Sequence, residues 1–150
     1  MPDFTIRDLR AEDRSAWDPL WQGYLEFYKA SVPPETTRLT FARLTGGGEP
    51  MGGFIAHDDA SNPIGIVHWI THRSTWTEGP YCYLQDLFVA SEKRGAGVGR
   101  ALIDAVYSEG RARGCSRVYW LTHETNVLAM KLYDAVADRT GFTQYRKLLC

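Results

Sequence analysis

The amino-acid sequence predicts a mixed α/β domain, and three observations lead to this prediction. In the first third of the chain, apolar residues recur at three- and four-residue spacing, as they do on the buried side of a helix. The middle third changes to a period of two, which is typical of strands. The last third alternates strand, glycine-rich loop, helix, strand, helix and strand, an order that favours an α/β arrangement. With 150 residues and 44% hydrophobic content, the chain is expected to form one domain over 1–150.

The individual elements follow from this periodicity and from the residues that interrupt it. Asp13 is the expected N-cap of the first helix, in which aromatic residues repeat at helical spacing. Pro33-Pro34 and the glycines at 46–48 bound the second helix. In chain order the predicted elements are a strand at 4–9, helices at 14–30 and 35–44, strands at 54–56, 64–70 and 81–89, a helix at 98–113, a strand at 117–122, a helix at 126–139 and a strand at 142–149.

Composition excludes several classes of protein. A formal net charge of −1 and a pI of about 6.4 lack the basic excess of a nucleic-acid-binding domain. No apolar stretch approaches the roughly 18 residues of a membrane-spanning helix, and the N-terminus lacks the pattern of a signal peptide. Three cysteines (Cys82, Cys115 and Cys150) without a C-x-x-C pair favour a reducing cytoplasm, and no metal site is expected.

The most informative segment is the glycine-rich loop at 94–100, which separates a predicted strand from an amphipathic helix. Glycines at a helix N-terminus leave several backbone N–H groups unpaired, with the positive end of the helix dipole behind them. Side chains there would hold an anion away from the amides, and Arg94 adds a fixed positive charge. This arrangement predicts a phosphate or pyrophosphate site.

Two common phosphate-binding motifs do not match this loop. A P-loop requires Lys followed by Ser or Thr after its last glycine, whereas Arg100-Ala101 stand there. A dinucleotide fingerprint requires G-x-G-x-x-G and an acidic residue about 20 positions later, whereas this loop reads G-x-G-x-G. The loop instead follows the pattern R/Q-x-x-G-x-G/A through Arg94, Gly97 and Gly99.

Together with the preceding Leu87-Phe88-Val89 strand and the later Asn126-x-x-Ala129-x-x-x-Tyr133, this pattern resembles the GNAT superfamily of acetyl-CoA-dependent N-acetyltransferases over residues 53–149. The resemblance implies a GNAT-like fold, with a central, mostly antiparallel twisted sheet and about four flanking helices. Within the superfamily, the segment 21–28 and the pair Tyr145-x-Lys147 look like the histone/polyamine-type branch.

The resemblance also implies how acetyl-CoA is held. Leu87 and Val89 would offer backbone groups to the pantetheine arm, and the glycine loop would hold the pyrophosphate. A backbone N–H near Leu87 or Phe88 would donate to the thioester oxygen. The implied cofactor-binding residues are Leu87, Phe88, Val89, Arg94, Gly95, Ala96, Gly97, Val98, Gly99, Arg100, Asn126, Ala129 and Tyr133.

Two catalytic roles are expected. The resemblance places Tyr133 beside the sulfur, where it can donate a proton to the leaving thiolate. The base that takes the proton of the amine is open, because Gln85 stands where related polyamine enzymes carry a glutamate and an amide cannot take a proton. Asp86 is the candidate if a β-bulge turns it to the active face. Glu26, His123 and Glu124 are the alternatives.

The acceptor is expected to be a primary amine of a polyamine-like small molecule or of a lysine side chain, attacking the thioester directly. Aromatic rings near a carboxylate attract cations, and the candidate acceptor-binding residues are Tyr24, Glu26, Tyr28 and Gln85. Gln85 also motivates an alternative, a non-catalytic acetyl-CoA sensor. A third possibility is an enzyme for another acyl group or acceptor, such as an amino acid. A homodimer is expected, with 143–149 as a pairing edge.

Overall fold

A computed structural model describes residues 3–150. They contain one sheet of five strands, β1 to β5, which lie side by side in chain order. Neighbouring strands are antiparallel except β4 and β5, which are parallel. The strands are β1 (Phe4–Asp8), β2 (Met51–Asp58), β3 (Pro63–His72), β4 (Tyr81–Val89) and β5 (Arg117–Tyr119). The helices are α1 (Arg14–Phe27), α2 (Pro34–Gly46), α3 (Val98–Ala112) and α4 (Val127–Val136). None of the helices within 3–150 is long and apolar enough to cross a membrane.

The two faces of the sheet carry separate hydrophobic cores. Because side chains alternate along a strand, adjacent β3 residues point to opposite faces: Val67 packs with α3, and Ile66 packs with α1 and α2. Trp17 on α1 and Leu102 on α3 are both fully buried against the sheet. The predicted fold, a mostly antiparallel sheet flanked by four helices, is confirmed.

Helix α1 ends three residues earlier than predicted, at Phe27 instead of Ala30. Lys29 adopts a positive φ of 53°, and the N–H groups of Lys29 and Ala30 donate to Glu26 O and Leu25 O. This is the Schellman arrangement that closes a helix, here with a lysine where glycine is usual. The turn leaves Tyr28 at the end of the helix, on the same side as Tyr24, and their ring centroids are 5.0 Å apart.

Asp13 is the N-cap residue of α1, as predicted. Its carboxylate makes no cap bond there. It accepts from the Arg10 backbone N–H at 2.7 Å and from both terminal nitrogens of Arg7 at 2.7 and 2.8 Å. The Arg7 hydrogen bonds lower the pKa of Asp13. Asp13 therefore ties β1 to the turn before α1.

The end of the chain departs most from the prediction. Strand β5 has three residues, and α4 begins at Val127 and ends at Val136. Residues 142–149 are not a strand, although their sequence alternates as a strand does. They are exposed, with Tyr145 95% accessible. The physical reason is that a strand needs a hydrogen-bonded neighbour, and within 3–150 this segment pairs with none.

Candidate functional site

A β-bulge in β4 places Asp86 on the face of the sheet that carries α1. Asp86 is opposite His68 and Leu84 is opposite Trp69, so Gln85 is the extra residue between them. If Gln85 were paired with His68 in a regular ladder, Asp86 would instead share the α3 face with Leu84. The condition set for Asp86 from the sequence is therefore met by the structure.

Tyrosines surround the Asp86 carboxylate. Burial, the charge of Asp86 and hydrogen bonding to its carboxylate raise the pKa of Tyr24 far above its usual value. Burial and the same negative charge also raise the pKa of Tyr28 and Tyr83. These hydroxyls stay protonated at neutral pH, so the group presents one carboxylate among neutral phenols. We call Asp86, Tyr24, Tyr28 and Tyr83 the acceptor cluster.

Beneath the acceptor cluster, a buried hydrogen-bonded chain joins α1, β3 and β4. His68 Nδ1 lies 2.9 Å from Asp86 Oδ2, and the Trp17 indole N–H donates to His68 Nε2 at 2.9 Å. The His68 side chain is 2% exposed and that of Asp86 is 12% exposed. The Trp17 end of this hydrogen-bonded series is therefore excluded from solvent, and the Asp86 end lies in the acceptor cluster.

Beyond the bulge, one edge of β4 is open. Within residues 3–150, β5 pairs with β4 only over Tyr81–Tyr83. The Ala90 N–H donates to Ile64 O on β3, and hydrogen bonding alternates along an antiparallel strand. The backbone groups of Phe88 therefore face β3, and those of Leu87 and Val89 face the open edge.

The glycine-rich loop leads into α3 with an exposed backbone. Gly95 and Gly97 both have φ of +87°, and a Cβ built on either meets no atom within 4 Å. In the part of the chain that the structure describes, the N–H groups of Gly97, Val98 and Gly99 donate to no protein acceptor. An open loop with free N–H groups at a helix N-terminus fits a pyrophosphate.

The Arg94 side chain folds back onto the end of β4. Its Nε donates to Val89 O at 3.1 Å, and its guanidinium lies 5.5 Å from the Phe27 ring and 5.7 Å from the Phe88 ring. The positive charge therefore lies between the end of the open β4 edge and the C-terminus of α1, close to the start of the loop.

Comparison with known proteins identifies the chain. Residues 14–137 match the Acetyltransferase (GNAT) family. The chain belongs to this family. It is 35% identical over 143 residues to the D-amino-acid N-acetyltransferase of Saccharomyces cerevisiae, covering 95% of this chain and 89% of that protein. It is 32% identical over 93 residues to the thialysine N-epsilon-acetyltransferase of Bos taurus, covering 62% of this chain and 49% of that protein.

Solved structures agree with the fold of this GNAT protein. An aminoglycoside N-acetyltransferase in complex with CoA superposes with a TM-score of 0.83 at 20% identity, over 98% of this chain and 95% of that one. A ribosomal-protein-alanine N-acetyltransferase from Brucella melitensis superposes with a TM-score of 0.82. The expected enzyme class, an acyl-CoA-dependent N-acetyltransferase with acetyl-CoA as cosubstrate, is confirmed.

On α4 of this GNAT protein, Tyr133 packs against the core on the α3 face and lies near Tyr28 of the acceptor cluster. Burial and the neighbouring Tyr28 raise the pKa of Tyr133 to about 12, and its ring packs edge-on against Trp120 at 5.4 Å. Asn126 is the N-cap residue of α4 without a side-chain cap bond; its Nδ2 lies 3.5 Å from Thr122 Oγ1. Ala129 is in the first turn of α4 and half-buried.

Several residues named from the sequence lie outside this arrangement. The side chains of Gln85 and Glu26 are exposed, and Glu26 lies on a different side of α1 from Tyr24 and Tyr28. His123 and Glu124 are exposed in the connection between β5 and α4. Of these alternative bases, none contacts the acceptor cluster within residues 3–150.

Sequence reasoning missed His68, Trp17 and Tyr83. His68 is the one polar residue in the predicted strand at 64–70, and this exception to an apolar pattern was the signal that could have identified it. Tyr83 stacks on Tyr119 with ring centroids 4.9 Å apart, and the His72 Nε2 lies 2.7 Å from the Tyr119 hydroxyl. The alternation of Tyr81 and Tyr83 with buried Cys82 and Leu84 was the signal for this aromatic face.

Proposed function

We propose that this GNAT enzyme transfers the acetyl group of acetyl-CoA to the primary amine of a small molecule by direct attack. The observation that carries the proposal is the position of Asp86: the bulge sets its carboxylate beside the open edge of β4, among tyrosines. That is where a base for an amine is required, next to the strand edge proposed to hold the thioester.

Asp86 is the proposed base. An amine reaches the site as ammonium and must lose a proton before its nitrogen can attack. The negative charge of Asp86 and the faces of Tyr24 and Tyr28 attract that cation. Asp86 then takes the proton, directly or through one water molecule. Tyr24 and Tyr28 are thus proposed acceptor-binding residues, and Glu26 and Gln85 receive no support from their positions.

The main chain and Tyr133 are proposed to serve the acyl group. Bound acetyl-CoA supplies an activated thioester. The Leu87 N–H, on the open edge, donates to the thioester oxygen as it gains negative charge. Attack forms the C–N bond and breaks the C–S bond, and the Tyr133 hydroxyl, protonated at neutral pH, donates its proton or a hydrogen bond to the departing sulfur. Arg94, Asn126 and residues 95–100 are the proposed contacts to the rest of acetyl-CoA.

Direct attack by the amine is favoured over a cysteine intermediate, because the thiols of Cys82 and Cys115 are protonated. Burial raises the pKa of Cys82 to about 12, and Cys82 lies on the α3 face, away from Asp86. Burial also raises the pKa of Cys115. A protonated thiol is a weak nucleophile. A triple variant with Cys82, Cys115 and Cys150 changed to Ala should keep its turnover, and loss of turnover with folding intact would contradict direct attack.

Amino acids are the first acceptors to test. The relative that spans 95% of this chain is by name a D-amino-acid N-acetyltransferase, and the shorter match is to a thialysine N-epsilon-acetyltransferase. Polyamines and lysine peptides, the acceptors expected from the branch resemblance, form the second group. The acceptor cluster supports a cationic amine and does not separate these groups.

The experiment is calorimetric titration of the purified protein with acetyl-CoA and with CoA, followed by a thiol-release assay. D-amino acids, thialysine, polyamines, lysine peptides and aminoglycosides form the panel. Binding with release on one group of amines identifies the acceptor class. Binding without release on any amine would favour the non-catalytic sensor, and absence of binding would contradict the assignment of the glycine loop.

We also propose a cytoplasmic homodimer of one domain over 1–150. Three free cysteines support the compartment. The exposed apolar residues Phe142, Tyr145 and Leu149 support association through residues 143–149, and β5 is an edge strand of only three residues. Sedimentation of the full chain and of a Tyr145→Glu variant tests this, and a monomeric full chain at micromolar concentration would contradict it.

A further inference from the structure

We infer that His68 is a positioning residue for the Asp86 carboxylate, and that Trp17 fixes which ring nitrogen of His68 carries the proton. This inference rests on the proposed role of Asp86 as the base. His68 is 1% exposed and Trp17 is fully buried, so both act on the reaction only through Asp86.

The partners of the His68 ring determine its tautomer. The indole nitrogen of Trp17 is a donor and never an acceptor. Because it lies 2.9 Å from His68 Nε2, that nitrogen must present a lone pair. The proton is therefore on Nδ1, which donates to Asp86 Oδ2 at 2.9 Å. Both ring nitrogens are used, and the ring is neutral.

A neutral donor suits a carboxylate that must take a proton. A cationic partner would stabilise the ionised carboxylate strongly and make it a weaker base. Protonating His68 at Nε2 would set two N–H groups against each other and bury a positive charge, both of which are costly. Trp17 thus holds His68 in the tautomer that donates to Asp86. The other titratable groups facing Asp86 are phenols: Tyr24 and Tyr28 from α1 and Tyr83 from β4.

The structure also provides a matched control for Trp17. Trp21, one turn further along α1, is buried as well, and its indole N–H donates to the Thr37 hydroxyl at 3.1 Å. Replacing either tryptophan by phenylalanine removes one buried indole hydrogen bond from the same core. Only the change at Trp17 frees a nitrogen of His68.

The first test reads the tautomer directly and needs no acceptor. In uniformly ¹⁵N-labelled protein, ring-nitrogen spectra between pH 6 and 8 should show His68 protonated at Nδ1 and unprotonated at Nε2. The His68→Asn variant assigns its signals among the four histidines. In Trp17→Phe, where Nε2 loses its donor, the Nε2 signal should move from its wild-type position, and in Trp21→Phe it should not. A wild-type His68 protonated at Nε2 overturns the inference.

The second test uses acetyl-CoA and D-lysine and follows kcat/KM against pH. In Trp17→Phe, the His68 ring loses the partner that fixes its tautomer, so the dependence of kcat/KM on pH should differ from that of the wild type. Trp21→Phe should keep the wild-type profile. His68→Leu should lower kcat about tenfold with little change in KM, whereas His68→Asn, whose amide N–H can replace Nδ1–H, should recover part of it.

The outcomes separate this inference from the proposed function. Wild-type pH profiles in Trp17→Phe together with wild-type kcat in folded His68→Leu would overturn the role of His68, whatever Asp86 does. Full turnover in Asp86→Asn would contradict the base. If the wild type does not acetylate D-lysine, that acceptor is wrong, and the ring-nitrogen spectra still decide whether His68 is held as inferred.

Discussion

The two halves of β4 use the same backbone in different ways. Over Tyr81–Tyr83 the strand is hydrogen-bonded to β3 on one side and to β5 on the other, and Cys82 and Leu84 are buried. After the bulge at Gln85, β4 keeps its pairing with β3 alone, and its side chains are partly exposed. The first half anchors the strand. The second half has unpaired backbone groups and a carboxylate to offer to ligands, and the following predictions test this division of roles.

The largest effect is expected at Asp86. Asp86→Asn keeps an oxygen that can accept from His68 but removes the ability to take a proton. We expect kcat to fall about 10²–10⁴-fold, the range typical of a lost general base. Thermal unfolding should change little. Asp104→Asn, an exposed carboxylate on α3, is the control for the loss of one negative charge. A kcat within threefold of the wild type would remove Asp86 from the mechanism.

The next effect is expected where the open half of β4 meets the glycine loop. Gly97→Glu places a carboxylate where the pyrophosphate is proposed to bind, and we expect affinity for acetyl-CoA to fall at least about 100-fold. Gly47→Glu is the control, because Gly47 also has a positive φ, +76°, and an open Cβ position, at the end of α2. Calorimetry measures both. Equal affinities in the two variants would show that only backbone strain matters.

A smaller effect is expected from Tyr133 on α4. Tyr133→Phe removes the proposed donor to the departing sulfur while keeping the ring against Trp120. We expect kcat to fall about tenfold, as for the loss of one hydrogen bond to a charged group, with unchanged affinity for acetyl-CoA. Steady-state kinetics with calorimetry separates the two effects. Loss of affinity with unchanged kcat would assign Tyr133 to binding instead.

The smallest effect is expected in the doubly paired half. Cys82→Ala shortens a side chain that is fully buried against α3. We expect the free energy of unfolding to fall by about 1 kcal/mol, from lost apolar contact, while kcat stays at the wild-type value. Urea titration and thiol release measure these quantities. Cys150→Ala, which changes an exposed cysteine, should alter neither. A loss of kcat in Cys82→Ala would show that the two halves are not independent.

Local sequence signals predicted much of this arrangement. The strand over Tyr81–Val89 and the start of α3 at Val98 have the predicted bounds, because turn residues and the glycine loop mark both. The glycine loop and Tyr133 were named from motifs. The prediction of a strand at 142–149 is wrong. Alternating apolar residues show that a segment could form a strand, but they do not show that a neighbouring strand is available for pairing.

Contacts between distant segments could not be predicted in the same way. His68 is 18 residues from Asp86 and 51 residues from Trp17 in sequence. Their meeting depends on how α1 packs over β3 and on the register between β3 and β4. No local pattern encodes either of these. From the sequence we could therefore infer only that Gln85 cannot act as the base, and that Asp86 can act as the base if a β-bulge turns it to the active face.

The bulge at Gln85 sets which face of the sheet the residues after it point to. Because side chains alternate along a strand, one extra residue exchanges the two faces beyond that point. A substitution at Gln85 preserves the count and should leave Asp86 towards α1. Deleting Gln85 would make Leu84 and Asp86 neighbours on opposite faces, so the bulge would be lost while Asp86 keeps its place opposite His68. In this enzyme the pairing of Asp86 with His68, more than the side chain at Gln85, decides where the proposed base stands.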